Sequence, residues 1–351
     1  MSEPKEITEY LRQTVELGGS DLHLSAWAPP AARVSGALVP LEDFLFDPET
    51  VASVIDQSLS ETQRADLESN LELDYAISLE NVGRFRGNVH VVRGSHEAAF
   101  RFIPDEIPEL DNLGHHSTVA DLCNLRRGLV LVTGITGSGK TTTLAAMIRR
   151  ISETRSGVIV TIEDPIEYQF SHNSCLIKQR EIGRDTRGFP IALRQALRQD
   201  PDVIVVSELR DLETIRIALT AAETGHLVLA TLHTLDAPQT IDRLVDVFPP
   251  EQQQQIVTQL ASVIEGIVSQ RLMPRADGQG RVLASEVLRA THGIRACIRE
   301  RKVEQLVGLM EISSREGNRT IDQSIKVRLD QGYITLEEAI FHAREPRNFL
   351  P

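Results

Sequence analysis

The pattern of apolar and polar positions changes character twice along the chain. Up to about residue 110 the apolar runs are short and alternating. TEYLRQTVELGG (8–19) has helical spacing and stops at a glycine pair, while DLHLS (21–25) alternates as a strand, with ARVSGALVPL (32–41) as its hairpin partner. A polar helix is expected over 48–69. GRFRGNVHVVRGSHEAAFRFIP (83–104) then places two alternating runs around Gly94-Ser95-His96, the pattern of a β-hairpin. PDEIPELDNLG (104–114) is rich in proline and acid and reads as a linker.

From about 121 to 250 the runs become longer and unbroken. GLVLVTGI, GVIVTIE, DVIVVSE and HLVLATLH alternate with the helical patterns that start at Lys140, GFPIALRQAL and LETIRIALTAAET. Strands without polar alternation, separated by amphipathic helices, predict a parallel sheet covered on both faces. After Pro249-Pro250 the spacing is mainly helical, with a short hairpin expected around Gly278–Gly280 and the run Gln252–Gln255 on an exposed helix face. The expected organisation is therefore an α/β unit over 1–110, a linker over 111–121, a sheet-centred core over 122–250 and a mainly helical part over 251–351.

Composition narrows this picture. The length of 351 residues suggests two or three domains. No apolar run approaches the roughly 18–20 residues that span a bilayer, and MSEPKEITEY has neither the basic flank nor the apolar stretch of a secretory signal. Cys123, Cys175 and Cys297 form no C-x-x-C pair, which argues for a reducing compartment and against a structural zinc or a disulfide framework. A net charge of -13 argues against a general nucleic-acid binder. It leaves room for a local basic groove, or for docking on basic protein loops at the cytoplasmic face of a membrane.

The sharpest chemical signal is GITGSGKT (134–141), which matches G-x-x-x-x-G-K-[ST]. Its glycines let successive backbone N–H groups turn inward onto phosphate oxygens, and the helix that follows presents its positive end. Lys140 is placed to reach the β- and γ-phosphates, and Thr141 offers a hydroxyl to Mg²⁺. Gly134, Thr136, Gly137, Ser138, Gly139, Lys140, Thr141 and Thr142 make up the expected nucleotide-binding set. LVLVT before the motif and TTTLAAMIRR after it supply the strand and helix that it requires.

Two apolar strands end in acid. Ligands of a parallel nucleotide-binding sheet sit at the carboxyl ends of its strands. Glu208, after DVIVV, is therefore expected beside the phosphates, where it can hold Mg²⁺ through water or orient and deprotonate the attacking water. Glu163, closing GVIVTIE, ends the same way, and two acids around one P-loop favour hydrolysis over simple binding. His226 and His233 bracket HLVLATLH and lie about 23 Å apart on a straight strand, too far to share one metal. One can sense the γ-phosphate while the other contacts a neighbouring element. Arg84 and Arg86 share a strand face with Arg101 across the hairpin, a cationic patch that can supply an arginine to phosphoryl transfer or remain a solvated face. Arg194 and Arg198, four apart on a helix, read as salt-bridging residues.

GITGSGKTTTL, TIEDPIEY, DPDVIVVSELRDLETIRIALTAAETGH and HLVLATLHT resemble, in this order, the Walker A, Asp, Walker B and His boxes of the secretion ATPases. The set is most similar to the type IV pilus retraction ATPases, the PilT family. GGSDLHLSA, RFRGN…FRFIP, IDRLVDVFPPEQQ and SQRLMPR extend the resemblance over nearly the whole chain. It implies an N-terminal PAS-like α/β domain, a RecA-like P-loop NTPase domain with a helical C-terminal part, and a homohexameric ring. ATP with Mg²⁺ would drive domain rotation that withdraws pilin into the inner membrane. The family's catalytic glutamates fall at Glu163 and Glu208, its box histidines at His226 and His233, and Arg84, Arg86 and Arg101 become interdomain nucleotide contacts. The implied place is cytoplasmic, peripheral to the inner membrane at the pilus base. The implied partners are a platform protein there, the antagonistic assembly ATPase and an accessory retraction ATPase.

GIRACIRE (293–300) resembles the family's A-I-R-N-L-I-R-E retraction motif, with Gly293, Ile294, Arg295, Ile298, Arg299 and Glu300 as its expected working residues. Gly293, Ala296 and Cys297 depart from it, and Ser207 stands where the family's Walker B glycine does. These departures motivate a second reading, a non-motor or accessory ring subunit that regulates another retraction ATPase. Assembly and type II secretion ATPases usually carry a longer N-terminal extension and a four-cysteine zinc insertion, so retraction is favoured over assembly. A DNA translocase is the weakest reading, since no basic groove with stacking aromatics is evident.

Overall fold

The computed structural model describes residues 4–34, 36–80, 82–104 and 106–350. The chain divides into two compact units, Met1–Glu106 with Pro165–Gln169, and Ile107–Asp164 with Phe170–Pro351.

In the first unit, α1 (Ile7–Glu16), α2 (Pro48–Asp56) and α3 (Glu61–Asn70) accompany a six-stranded antiparallel sheet. Its strands are β1 (Gly19–Leu24), β2 (Ala31–Val34), β3 (Ala37–Pro40), β4 (Glu72–Leu79), β5 (Gly83–Val92) and β6 (Ser95–Ile103), in the order β3-β2-β1-β6-β5-β4. Tyr10, Leu22, Phe46, Phe85 and Phe100 centre its core. Three local expectations change. The single helix over 48–69 is two helices, because Ser60 and Gln63 form a capping box that starts α3 afresh. Residues 32–41 pair with β1 only through β2 and then double back as β3, with Val34 opposite Ala37. The second hairpin turns at Arg93-Gly94 rather than Gly94-Ser95-His96, since Val92 pairs with Ser95 and both turn residues have positive φ (51° and 82°), as a two-residue I′-type turn requires.

The second unit is built on a seven-stranded sheet in the order β13-β12-β7-β11-β10-β8-β9. Its first elements are α4 (Thr118–Leu122), β7 (Gly128–Thr133), α5 (Lys140–Thr154), β8 (Gly157–Glu163), β9 (Cys175–Glu181), α6 (Phe189–Ala196) and β10 (Val203–Val206). Then follow α7 (Leu212–Glu223), β11 (Leu227–Leu232), α8 (Ala237–Asp246), α9 (Pro250–Val263), β12 (Ile264–Pro274) and β13 (Arg281–Arg289). Every residue of β7, β10 and β11 is buried, and their side chains still obey the strand period of two. Leu129, Leu131, Ile204 and Val206 face one core with α6 to α9, while Val130, Val132, Val203 and Val205 face the other with α4 and α5.

Residues 251–351 are less helical than their spacing predicts. The hairpin closed at Gly278 and Gly280 is not short: its arms are strands of 11 and 9 residues, and β12 runs parallel to β7 inside the core sheet. IEGIVSQRLMP continues directly from α9, so its apolar positions read as more helix. The chain ends in α10 (His292–Arg299), α11 (Leu306–Ile312), α12 (Ile321–Asp330) and α13 (Leu336–His342). No helix among the described residues is long and apolar enough to cross a membrane.

Candidate active site

The loop between β7 and α5 has the shape that its sequence predicts. Gly134, Gly137 and Gly139 have φ of 143°, 79° and 90°. A Cβ on Gly134 would lie 2.5 Å from Ser138 Oγ and 2.6 Å from the Gln270 carbonyl oxygen, so this position admits glycine alone. Lys140 is buried and donates to the carbonyl oxygens of Gly134 (2.8 Å) and Ile135 (3.0 Å). Thr141 is exposed at the start of α5. The Ser138 hydroxyl is buried with no hydrogen-bond partner, a cost that an incoming acceptor would relieve. A side-chain-free cradle, an orphaned hydroxyl, a buried ammonium and a helix N-terminus fit a nucleotide's phosphates; the exposed Thr141 hydroxyl fits their Mg²⁺.

Strand order brings the other candidates to the same edge of the sheet. β7, β11, β10 and β8 are consecutive parallel neighbours with Thr133 level with Leu232, Ala230 with Val206, and Val206 with Ile162. The P-loop, His233, Glu208 and Glu163 therefore leave the carboxyl ends of four adjoining strands. At ~4.8 Å per strand, Glu208 is two strands (about 10 Å) and Glu163 three (about 14 Å) from the P-loop strand. Glu208 is half-buried, with Oε2 2.8 Å from Arg210 Nη2 and 3.4 Å from His233 Nε2. Burial pushes its carboxyl up, but the Arg210 guanidinium and His233 outweigh that, and the net shift is below its ordinary 4.5. Glu163 accepts from Thr161 Oγ1 (2.6 Å) and Gln179 Nε2 (3.0 Å).

His226 is not brought to this group. It precedes β11 at the opposite edge of the sheet, where its Nδ1 lies 2.9 Å from the Ala221 carbonyl oxygen at the end of α7. Arg84 is buried and donates to Ser78 Oγ (3.2 Å). Arg86 stands directly opposite Arg101 in the β5–β6 ladder, and their like charges are offset by Glu167 (3.8 Å) and Asp21 (2.9 Å) respectively. Arg194 pairs with Glu213, tying α6 to α7.

Several P-loop contacts escaped sequence reasoning. Gln270 on β12 donates to Thr143 Oγ1 (3.0 Å) and to the Ser138 carbonyl oxygen (3.4 Å). Thr133 donates to Ser269 Oγ (2.8 Å), and Arg281 Nη1 lies 3.3 Å from the Gly137 carbonyl oxygen. His115 sits between Thr143 Oγ1 (3.0 Å) and Ser285 Oγ (3.2 Å), and burial pushes its pKa down to about 3, so it braces α5 as a neutral ring. The usable signal was SQR (269–271) after an apolar run, visible only once that run is recognised as a strand.

The two departures fit locally. Ser207 lies outside the described residues with left-handed backbone, and its N–H donates to Ile162 (2.9 Å), so no glycine is required there. Ser207→Gly is expected to lower the unfolding midpoint by a few degrees or less, from about 0.5–1 kcal/mol of added backbone freedom, and to leave turnover within about threefold; a steady-state ATPase assay and a thermal melt check both. In α10, Ile294, Cys297 and Ile298 are core residues, and Arg295 caps α9 through the carbonyl oxygens of Ala261 and Ser262 and pairs with Glu265. Gly293, Arg299 and Glu300 form its exposed part, and a Cβ at Gly293 meets only Thr291 Oγ1 at 4.0 Å.

Comparison with known proteins agrees with this geometry. The family described as type II/IV secretion system protein matches residues 84–341. The chain is 44% identical over 344 residues to the type IV pilus retraction ATPase PilT of Pseudomonas aeruginosa, covering 98% of this chain and 100% of that protein. It is 40% identical to the type IV pilus ATPase PilU of the same organism, covering 96% and 88%. A crystal structure of the pilus retraction motor PilT with bound ADP superposes with a TM-score of 0.90 at 48% identity, covering 98% of this chain and 99% of that one.

Proposed function

We propose that this chain, which belongs to the type II/IV secretion system protein family, is an ATP-hydrolysing motor that powers type IV pilus retraction. The observation that carries the catalytic half is the set of four adjoining strand ends: P-loop, His233, Glu208 and Glu163. The P-loop amides and Lys140 bind the triphosphate. Thr141, with Glu208 or Glu163 through water, holds Mg²⁺, which neutralises charge on the phosphates when bound. Glu208, kept ionised by Arg210 and His233, orients the attacking water, and His233 links its carboxylate to the end of β11. A carboxylate below its ordinary range is a weak base, so orientation is its stronger role.

The pilus half rests on similarity to PilT over full length. We place the chain in a homohexamer whose PAS-like and RecA-like domains rotate during turnover, cytoplasmic and peripheral to the inner membrane at the pilus base. There it meets a platform protein, opposes the assembly ATPase and works beside an accessory retraction ATPase. In this reading Arg84, Arg86 and Arg101 contact nucleotide once their carboxylate partners release them. Higher identity and fuller coverage favour a PilT-like over a PilU-like role. Deleting the gene and scoring surface pili and twitching tests this directly. Hyperpiliated, non-twitching cells are expected; bald cells would assign the chain to assembly, and unchanged cells would remove the pilus role.

A further inference from the structure

His233 is 45% exposed at its side chain, yet its ring lies within reach of Glu208. Little holds it in place except the ends of the short segment that carries it. One end is the last ladder pair of β11, Leu232 opposite Thr133. The other is Asp236, three residues on, which caps α8 by accepting from Gln239 N (2.9 Å).

That cap is gripped from far along the chain. Arg344, just beyond α13, places Nη2 2.5 Å from Asp236 Oδ2 and Nη1 3.5 Å from Glu286 Oε2. Glu286, on β13, is fully buried and accepts from the backbone N–H of Ala237 (2.9 Å), the first residue of α8. Burial pushes the Glu286 carboxyl up, and the charge of nearby Asp236 pushes it further. Arg344 is the cation between them. Its own backbone is anchored in turn, because Asp322 near the start of α12 accepts from the N–H groups of Arg344 (2.7 Å) and Glu345 (3.0 Å) and from Asn348 Nδ2 (3.2 Å).

We propose that Arg344 is a positioning residue for ATP hydrolysis: the C-terminal segment folds back and fixes the α8 cap, and thereby the span that presents His233 to Glu208. The planar guanidinium suits this task, since its two N–H arms engage two carboxylates at once. The clamp touches neither the P-loop nor the phosphates' cradle, so its loss should misplace His233 without weakening nucleotide binding. The inference rests on the reading of Glu208 and His233 as catalytic.

Arg344→Met in the full chain is expected to lower kcat for ATP about tenfold with KM within about twofold, and Arg344→Lys is expected to recover part of the loss. In a double-mutant cycle, His233→Ala alone should be slow, and adding Arg344→Met should cost less than about twofold more, because both act through one group. Normal kcat in Arg344→Met, or a full additional loss on top of His233→Ala, would overturn the clamp while leaving the catalytic reading intact. Wild-type turnover in His233→Ala would instead remove that reading and the clamp with it. If Arg344→Met alone does not fold, Arg344→Met with Glu286→Gln removes the buried negative charge as well and carries the same expectations.

Discussion

Glu208→Gln is expected to bind ATP within about threefold of the wild-type affinity while kcat falls about 10²–10⁴-fold. Glutamine keeps the shape and can still accept from Arg210, so the P-loop, two strands away, is untouched. What disappears is the negative charge that aligns a water molecule for attack. The folded carboxyl lies below its ordinary 4.5; its contribution to stability is thus present above the unfolded value and lost as pH falls through the folded one. For the same reason an acid limb of kcat that belongs to Glu208 should lie below pH 4.5. Fluorescent-nucleotide titration alongside steady-state hydrolysis measures both halves. Turnover within twofold of wild type would take Glu208 out of the reaction and leave a protein that only holds ATP.

The core of the fold was legible because three strands carry nothing but apolar side chains. β7, β10 and β11 are buried on both faces, so an unbroken run bounded by glycine or aspartate had one good interpretation. β9 was not legible. CLIKQRE lies at the sheet edge with a half-polar pattern, and nothing local distinguishes that from an irregular connection. β12 was lost for a different reason: it follows α9 without a break, and its neighbour β7 lies some 130 residues earlier in sequence, so its pairing has no local signature.

The site divides along the same line. Residues that act through backbone chemistry at a fixed spacing were read correctly in place, as the positive φ of Gly134, Gly137 and Gly139 attests. Glu208 and His233 were each legible as strand-end residues, but their 3.4 Å approach depends on β10 and β11 being neighbours. His226 shows the limit of symmetry arguments: a histidine at either end of one strand reads alike, and only strand polarity tells that His226 stands away from the P-loop. Gln270, Arg281 and Arg344 were invisible because each reaches its partner across more than a hundred residues.

Lys140→Met should fail at the earlier step. Its ammonium is buried among loop carbonyls, where an unpaired charge would be costly, so the residue is retained for what it grips. Methionine has similar length and no charge, and the carbonyls of Gly134 and Ile135 lose only a donor, so the fold should persist with a midpoint shifted by a few degrees. Nucleotide affinity, however, loses the one full positive charge the P-loop supplies. In a half-enclosed site, a charge-assisted contact to phosphate is worth about 2–4 kcal/mol, which corresponds to an affinity loss of about 30- to 1000-fold. The contrast with Glu208→Gln is the informative part. One variant should bind and not turn over, while the other should not bind at micromolar nucleotide. Titrating both with the same fluorescent ATP analogue decides it: equal affinities would mean that Lys140 does not hold the phosphates and that the loop's amides bind them unaided.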